Sequence, residues 1–418
     1  MYSQADRLKD RERWSQILSG FSDNGPLLCF FSSKGGKFLF LLILPFFDGK
    51  MVDITLAFIG GSREERLFFM ENGIIQVGIA GFGMSGQVFH APFLDADPRF
   101  RIRKVFERTS SRAQEAYPYV ETVRQFEDLL TEEIDLVVVS TPNPLHYPMA
   151  RQALEAGKHV IVEKPAAATA QEVRELIGLA RQKGVLFTVF QNRRLDGDFR
   201  TIQDLLAKNT LGQIVDYEAH FDRFVRGPYS KRWKAQGGRG ISILYDLGVH
   251  LLDQVYVLFG MPQAVFADFR QQRDVSPGFD NFRLTLYYAD MQAVVSAGEV
   301  VALPGPHFQL HGRKGSFQKY GMDVQEAALI AGAKPGGAHW GEDSPEGYGT
   351  LAVDTGDTLE ISRVPTIPGN YGDYYDSIYR CLTRGEAPLV NPEDAVQVLK
   401  IIEAATRSAQ SHAQEPII

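Results

Sequence analysis

The chain is predicted to be an α/β protein, with a doubly wound parallel sheet followed by an α+β domain built on a largely antiparallel open sheet. Three observations predict it. A nearly uncharged, β-branched run, Ile74 to Ala80, leads straight into the glycine turn Gly81-x-Gly83-x-x-Gly86 and then into a helix-forming stretch. Strand-like and helix-like segments then alternate six times within about 120 residues, as successive βαβ units do. Beyond Arg194 the alternation gives way to a helix and then a run of strands.

Composition narrows the class. Charged residues make up 23% and hydrophobic residues 44%, an ordinary balance for a protein with ample cores. The net charge of −7 and the lack of a long basic run argue against a nucleic-acid partner. Cys29 and Cys381 are too few and too far apart for a disulfide framework or a zinc site, which fits a reducing cytosol.

Residues 1–72 read as an extension of doubtful structure. Leu27–Phe31 and Phe38–Phe47 are apolar, but the longer run falls well short of the roughly 20 residues that span a bilayer. No signal-peptide pattern is present either. Three readings fit: a loosely packed extension, a membrane-associating hairpin, or a start codon assigned too far upstream. A first strand beginning soon after Met70 favours the third, and no membrane is expected for the folded domains.

Residues 73–192 form the first predicted domain. In the glycine turn, Gly81 permits the tight bend, Gly83 lets backbone approach a pyrophosphate, and Gly86 lets the helix pack on the strand. The diphosphate would sit on the N–H groups of that helix, expected over Gln87–Leu94 and broken at Pro92. This is the dinucleotide-binding arrangement of a Rossmann sheet, and Phe82, Met84 and Ser85 lie in the same loop. Phe100–Glu107 is the second strand. Glu107 falls roughly 20–26 residues past the glycines, where an acid accepts from adenosine ribose hydroxyls. That favours NAD, while Arg108, Ser110 and Arg112 beside it suit a 2′-phosphate and keep NADP open.

A short helix closes over Asp128–Glu133. Ile134–Ser140 is the clearest buried strand, and it ends in Thr141-Pro142-Asn143-Pro144-Leu145-His146 at the sheet's carboxyl edge, where open α/β folds bind ligands. Tyr147–Ala156 is helical up to Gly157, and His159–Val162 is a strand leading to Glu163-Lys164-Pro165. Residues 170–183 are helical, and Val185–Phe190 is a strand ending in Gln191-Asn192-Arg193-Arg194.

Residues 193–390 form the second domain. It has a helix over Asp196–Ala207 and strands at Ile214–Phe224, Ala264–Arg270, Phe282–Tyr288, Gln292–Val300 and Phe308–His311. Gly237-Gly238-Arg239-Gly240 precedes a helix from about Leu244 to Leu258, and residues 334–349 read as a surface excursion. Residues 391–418 are a last helix across the domain junction, with Asn391 as N-cap and Pro392 at its first position.

The chemistry concentrates in two places. Lys164 leaves a buried strand and precedes a proline, so its ammonium is held at the sheet edge, where it can polarise a carbonyl or a bound hydroxyl. Asp246 and His250, four residues apart, share a helix face; a histidine can take a hydroxyl proton and a carboxylate can orient it or bind substrate. No third side chain at convincing spacing makes the pair a metal site.

Together, Gly81-x-Gly83-x-x-Gly86, Glu163-Lys164-Pro165 and Y-D-L-G-V-H around Asp246 and His250 resemble the glucose–fructose oxidoreductase/inositol dehydrogenase family (Gfo/Idh/MocA). The strings G-F-G-M-S-G-Q-V-F-H-A-P-F, F-Q-N-R-R at 190–194 and G-N-Y-G-D-Y-Y at 369–375 look closest to its scyllo-inositol dehydrogenase branch. The resemblance runs from Ile74 to the C-terminus. It implies nicotinamide-dependent oxidation of a secondary alcohol on a cyclic polyol or sugar, or the reverse reduction. It makes Lys164 catalytic, His250 the acid/base, and Asp246 its partner and a substrate ligand. It places Thr141, Asn143, His146 and Glu163 beside the cofactor, and Arg193 and Tyr245 beside the polyol. It also implies a homo-oligomer, a dimer or tetramer. His90 reads equally as facing the cofactor cleft or the helix surface, and Trp233 and Trp340 as substrate contacts or core.

Two other classes compete. A non-catalytic dinucleotide sensor on the same fold would need none of Lys164, Asp246 and His250. A glycosidase using NAD transiently would need a further acid/base that the sequence does not display.

Overall fold

The computed structural model describes residues 73–229, 238–276 and 278–418, together with two strands nearer the N-terminus. Those strands, β1 (Leu27–Ser32) and β2 (Phe38–Ile43), pair antiparallel, with Leu27 opposite Ile43 and Ser32 opposite Phe38. They belong to a unit of their own, Met1–Glu71, distinct from Asn72–Ile418. The other readings made for residues 1–72, and those for Trp233 and Gly237, lie outside the described residues.

The first sheet consists of β3 (Ile75–Ala80), β4 (Phe100–Phe106), β5 (Glu121–Val123), β6 (Leu136–Val139), β7 (His159–Glu163) and β8 (Phe187–Phe190), all parallel, in the order β5-β4-β3-β6-β7-β8. Every residue of β3 and β6 is buried, the result of helices covering both faces, which is why these strands read as unbroken apolar runs. The chain runs outward from β3 to β5, then returns to β6 on the other side of β3. That reversal opens a crevice between the loops that follow β3 and β6. β5 escaped the sequence reading because three residues, of which only Val123 is buried, carry no measurable period.

Two local expectations are corrected. The helix after the glycines does not break at Pro92. A π turn over Gly86–His90 comes first, with the Ala91 N–H bonding back to the Gly86 carbonyl, and an α-helix then continues over Ala91–Ala96. Pro92 therefore sits in a first turn, where a missing N–H costs nothing. The segment expected to close over Asp128–Glu133 is a 3₁₀ turn, Phe126–Leu129, with Gln125 and Asp128 forming a capping box.

The second sheet has nine strands: β9 (Ile214–His220), β10 (Ala264–Arg270), β11 (Asn281–Tyr287), β12 (Gln292–Gly298), β13 (Phe308–Gly312), β14 (Gly315–Lys319), β15 (Gly349–Asp354), β16 (Leu359–Val364) and β17 (Glu415–Pro416). Their order is β16-β15-β14-β13-β9-β12-β11-β10-β17, antiparallel except where β12 meets β9. β14 to β17 were not expected. β16 faces solvent at its first five residues and β17 has two, so neither carries a core-facing alternation, while β14 has one in only five residues.

The Pro392–Ser411 helix starts as predicted, with the Asn391 side chain accepting from the Glu393 N–H at 3.1 Å. It bonds to both sheets' elements. Glu403 accepts from the Ala170 N–H at 2.9 Å on the first domain, and Ser408 accepts from the Ala267 N–H of β10 at 3.0 Å on the second. Tyr371, Tyr374 and Tyr375, from the tyrosine-rich string, are fully buried against the underside of the first domain's opening helix.

Candidate active site

A cleft of about 650 Å³ follows the carboxyl edge of the parallel sheet. One end is built from the loops after β3, β4 and β6. Gly81 has φ +94°, and a Cβ there would lie 2.9 Å from the Ser140 carbonyl oxygen; one on Gly86 would lie 2.7 Å from the Gly81 carbonyl oxygen. Both glycines are thus required by the fold itself. Gly83 has nothing within 4 Å of an added Cβ, so its exposed side opens onto the cleft. The loop accordingly leaves room for a diphosphate over the turn that begins the first helix. Phe82, Met84 and Ser85 line the same end, as does Thr141, whose buried Oγ1 has no partner among the described residues.

The loop after β4 presents Glu107, Arg108, Thr109, Ser110 and Arg112 to the cleft. The Glu107 carboxylate is buried and already occupied. It accepts from the Ser110 hydroxyl at 2.5 Å and from the Ala113 N–H at 2.9 Å, capping the short helix Arg112–Ala116. Arg124 braces this loop, donating to the Glu107 carbonyl at 2.8 Å and to Ser111 Oγ at 2.7 Å. No sequence signal singled out Arg124.

Asn143 lies on the cleft wall and donates to the Gly240 carbonyl at 3.1 Å, tying the Pro-Asn-Pro loop to the second domain. His146 is buried, with Nδ1 and Nε2 each 2.7 Å from a carbonyl oxygen, of Pro165 and Thr141 respectively. Burial lowers its pKa, and the neutral ring donates its one N–H to one of these two carbonyls. Glu163 is likewise turned inward. Its carboxylate accepts from Ser85 Oγ, lies 3.1 Å from His90 Nε2, and takes the Lys164 N–H at 3.0 Å. Burial opposes its charge, but the His90 and Ser85 bonds and the Lys164 ammonium carry its pKa below the usual carboxylate range.

At the other end Lys164, joined to Pro165 by a cis peptide, meets the second domain. Its Nζ donates to the Asp246 carbonyl at 2.7 Å and approaches Asp246 Oδ1 at 3.3 Å. Asp246 stands in a π turn, Leu244–Gly248, which runs into the α-helix Val249–Phe259. No hydrogen bond joins Asp246 to His250 among the described residues, but its charge acts on the His250 ring while its side chain pairs with Lys164.

His250 is 6% exposed, stacks on Phe221 at 6.3 Å, and its Nδ1 has no partner among the described residues. Burial, reinforced by the charges of Lys164, Arg193 and Arg223, pushes its pKa well below the usual histidine range. The ring is therefore a neutral imidazole at neutral pH.

Arg193 reaches the cleft but is held on three sides. It donates to Glu326, to Asp196 at 3.3 Å and to the Tyr371 hydroxyl at 3.3 Å, leaving Nε–H as a buried donor without a partner among the described residues. Tyr245 does not line the cleft. One position along a helix turns its side chain away from that of Asp246, and its hydroxyl donates to the Ala168 carbonyl at 3.0 Å. Trp340 donates to Gln325 at 3.1 Å and packs on Phe93, also away from the cleft.

Phe221, Arg223 and Glu326 complete this end, and the sequence reading missed all three. Each stands alone in its segment, with no motif around it. Among the described residues no group of three His, Cys, Asp or Glu side chains could share a metal ion, and no helix is long and apolar enough to cross a membrane.

Comparison with known proteins agrees with this layout. Residues 75–191 match the family model for the oxidoreductase family's NAD-binding Rossmann fold, and residues 203–417 match the model for its C-terminal alpha/beta domain. The chain is 41% identical to scyllo-inositol 2-dehydrogenase (NADP(+)) IolW of Bacillus subtilis over 337 residues, covering 80% of this chain and 94% of that one. It is 38% identical to the uncharacterized oxidoreductase YdgJ of Escherichia coli, covering 81% and 97%. The crystal structure of an oxidoreductase from Bacillus cereus superposes with a TM-score of 0.75 at 32% identity, over 82% of this chain and 99% of that one.

Proposed function

The chain belongs to the Gfo/Idh/MocA oxidoreductase family, and from that premise we propose that it moves hydride between NADP and a secondary alcohol, or its ketone, on a cyclic polyol of the inositol type. One observation carries the reading: an ammonium, a neutral imidazole and a glycine cradle with an open Gly83 line a single cleft at the switch point of a parallel sheet.

When bound, the nicotinamide accepts or supplies the hydride. The protein's residues handle the oxygen. Lys164 donates a hydrogen bond to the reacting hydroxyl and stabilises the negative charge that builds there as its proton departs. Asp246 keeps that ammonium charged and aimed. His250, neutral and shielded by Phe221, takes the hydroxyl proton during oxidation and returns it during reduction. The Nε–H of Arg193 and the carboxylates of Asp246 and Glu326 supply partners of both signs for neighbouring hydroxyls, as a hydroxyl-rich ring needs.

NADP is supported over NAD by the state of the β4 loop. The Glu107 carboxylate accepts from Ser110 and Ala113, while the guanidinium groups of Arg108 and Arg112 remain on the cleft wall, donors suited to a 2′-phosphate. The cofactor named for IolW points the same way.

The test is absorbance at the reduced-nicotinamide band, with NAD and NADP in parallel, against a panel of inositols and aldoses. Signal with NADP and an inositol is expected. Cofactor binding by calorimetry with silence across the panel would overturn the reading. The pH profile adds a sign. Because burial and cations disfavour the protonated ring, oxidation should hold its rate below the usual histidine range and fall only at lower pH. His250→Asn should cost about a hundredfold in oxidation rate and abolish that acid limb.

A further inference from the structure

His90 is neither on the helix surface nor in the cleft. The π turn carries it beneath the glycine loop, where it is wholly buried and packs on Phe190 at 4.5 Å. Its Nε2 lies 3.1 Å from Glu163 Oε1 and its Nδ1 2.7 Å from the Tyr375 hydroxyl. The same Glu163 carboxylate holds the Ser85 hydroxyl and the Lys164 N–H. One buried group thus joins the loop that would seat the diphosphate to the backbone of the lysine at the reacting end.

A carboxylate only accepts, so the Nε2 of His90 carries a hydrogen and donates it to Glu163. The Tyr375 hydroxyl lies 2.7 Å from Nδ1 and donates to the Phe89 carbonyl at 3.2 Å. Tyr375, His90 and Glu163 form one buried hydrogen-bonded chain. Removing the imidazole would leave Glu163 short of a donor inside the core.

We propose that His90 is a positioning residue that, through Glu163, sets the placement of Lys164 relative to the cofactor loop at Ser85. It touches no reacting atom and moves no proton in the reaction. The proposal rests on the reading of Lys164 as the group that meets the substrate oxygen, but half of its test does not need a substrate.

The experiment compares His90→Phe, which keeps the aromatic volume and loses the donor, with His90→Gln, whose amide can still reach Glu163. NADPH affinity is measured by calorimetry on the full chain, and turnover on whichever polyol responds. His90→Phe should lower kcat about thirtyfold and weaken NADPH about fivefold, while His90→Gln recovers most of both. The acid limb of the pH profile should stay where it is in both variants. Tyr375→Phe should cost less, about threefold in kcat, because Glu163 keeps its donor. It also serves if His90→Phe fails to fold. A His90→Phe protein with lowered melting temperature but unchanged kcat and NADPH affinity would overturn the proposal, leaving His90 as packing. A displaced acid limb in His90→Gln would overturn it too, by making His90 the acid/base. If no polyol is turned over, the affinity comparison still decides the role of His90 while the proposed reaction fails separately.

Discussion

In the six-stranded sheet β3 and β6 are buried from end to end, whereas in the nine-stranded sheet burial fades toward β16, which faces solvent along most of its length. The two ends of the cleft differ in the same way. The cofactor end is assembled from contiguous loops at the edge of the parallel sheet, each close behind the strand that aims it. The reacting end takes Lys164 from one domain and Phe221, Arg223, Asp246, His250 and Glu326 from separate points of the other. A parallel sheet thus concentrates a binding site in short stretches of chain, while the antiparallel domain supplies single side chains whose company is set by packing.

Substitutions at the two ends should therefore fail in different ways. The largest effect is expected from Lys164→Ala, about a thousandfold in kcat with cofactor affinity held within about threefold. Normal turnover at saturation with lost cofactor binding would reverse the roles given to the two ends. Next comes a scaffold control beside the site. Arg194 donates to Asp253 at 2.6 and 2.7 Å and to Asp394 at 2.9 Å, joining the helices Val249–Phe259 and Pro392–Ser411. Arg194→Ala should cost about 3–5 kcal/mol in denaturant unfolding, because it strands a buried carboxylate. Under the proposed reading, a substitution of the neighbouring Arg193 is expected to raise substrate KM instead.

Gly83→Val sharpens the comparison from the cofactor side. With open space around an added Cβ, the melting temperature should hardly move, while NADP affinity falls about thirtyfold. A matching loss of stability would show that the loop is shaped for the fold rather than for a ligand. The smallest effect is expected from Arg112→Ala, about tenfold in NADP affinity with NAD unaffected. Equal weakening of both cofactors would return the β4 loop to a structural role.

Much of this was legible in the chain itself, for reasons that differ by residue. Gly81 and Gly86 announce themselves because the backbone tolerates nothing larger there. β6 is legible because burial on both faces leaves only apolar residues, and the Asn391–Pro392 cap because it is a local hydrogen-bond pattern. Glu107 was placed in the cleft-lining loop, where its carboxylate also accepts from Ser110 and the Ala113 N–H. Glu163 stood next to Lys164 in the motif, yet its oxygens turn to Ser85 and His90. β16 and β17 were missed because a solvent-facing or very short strand needs no apolar alternation.

The sequence by itself determined the features that a few consecutive residues can impose: a parallel sheet, its glycine turn, the lysine at a strand end, and the helix bearing Asp246 and His250. Only the tertiary structure decided which groups meet. Asp246 was expected to partner the histidine four residues away, and it also holds Lys164, 82 positions distant in the chain. His90 was a helix residue of unsettled facing until Tyr375, 285 positions away, closed over it. The reason is physical: backbone preference is settled within a turn or two, but the pairing of buried charges and hydrogen-bonding groups depends on distances through space that no local spacing encodes.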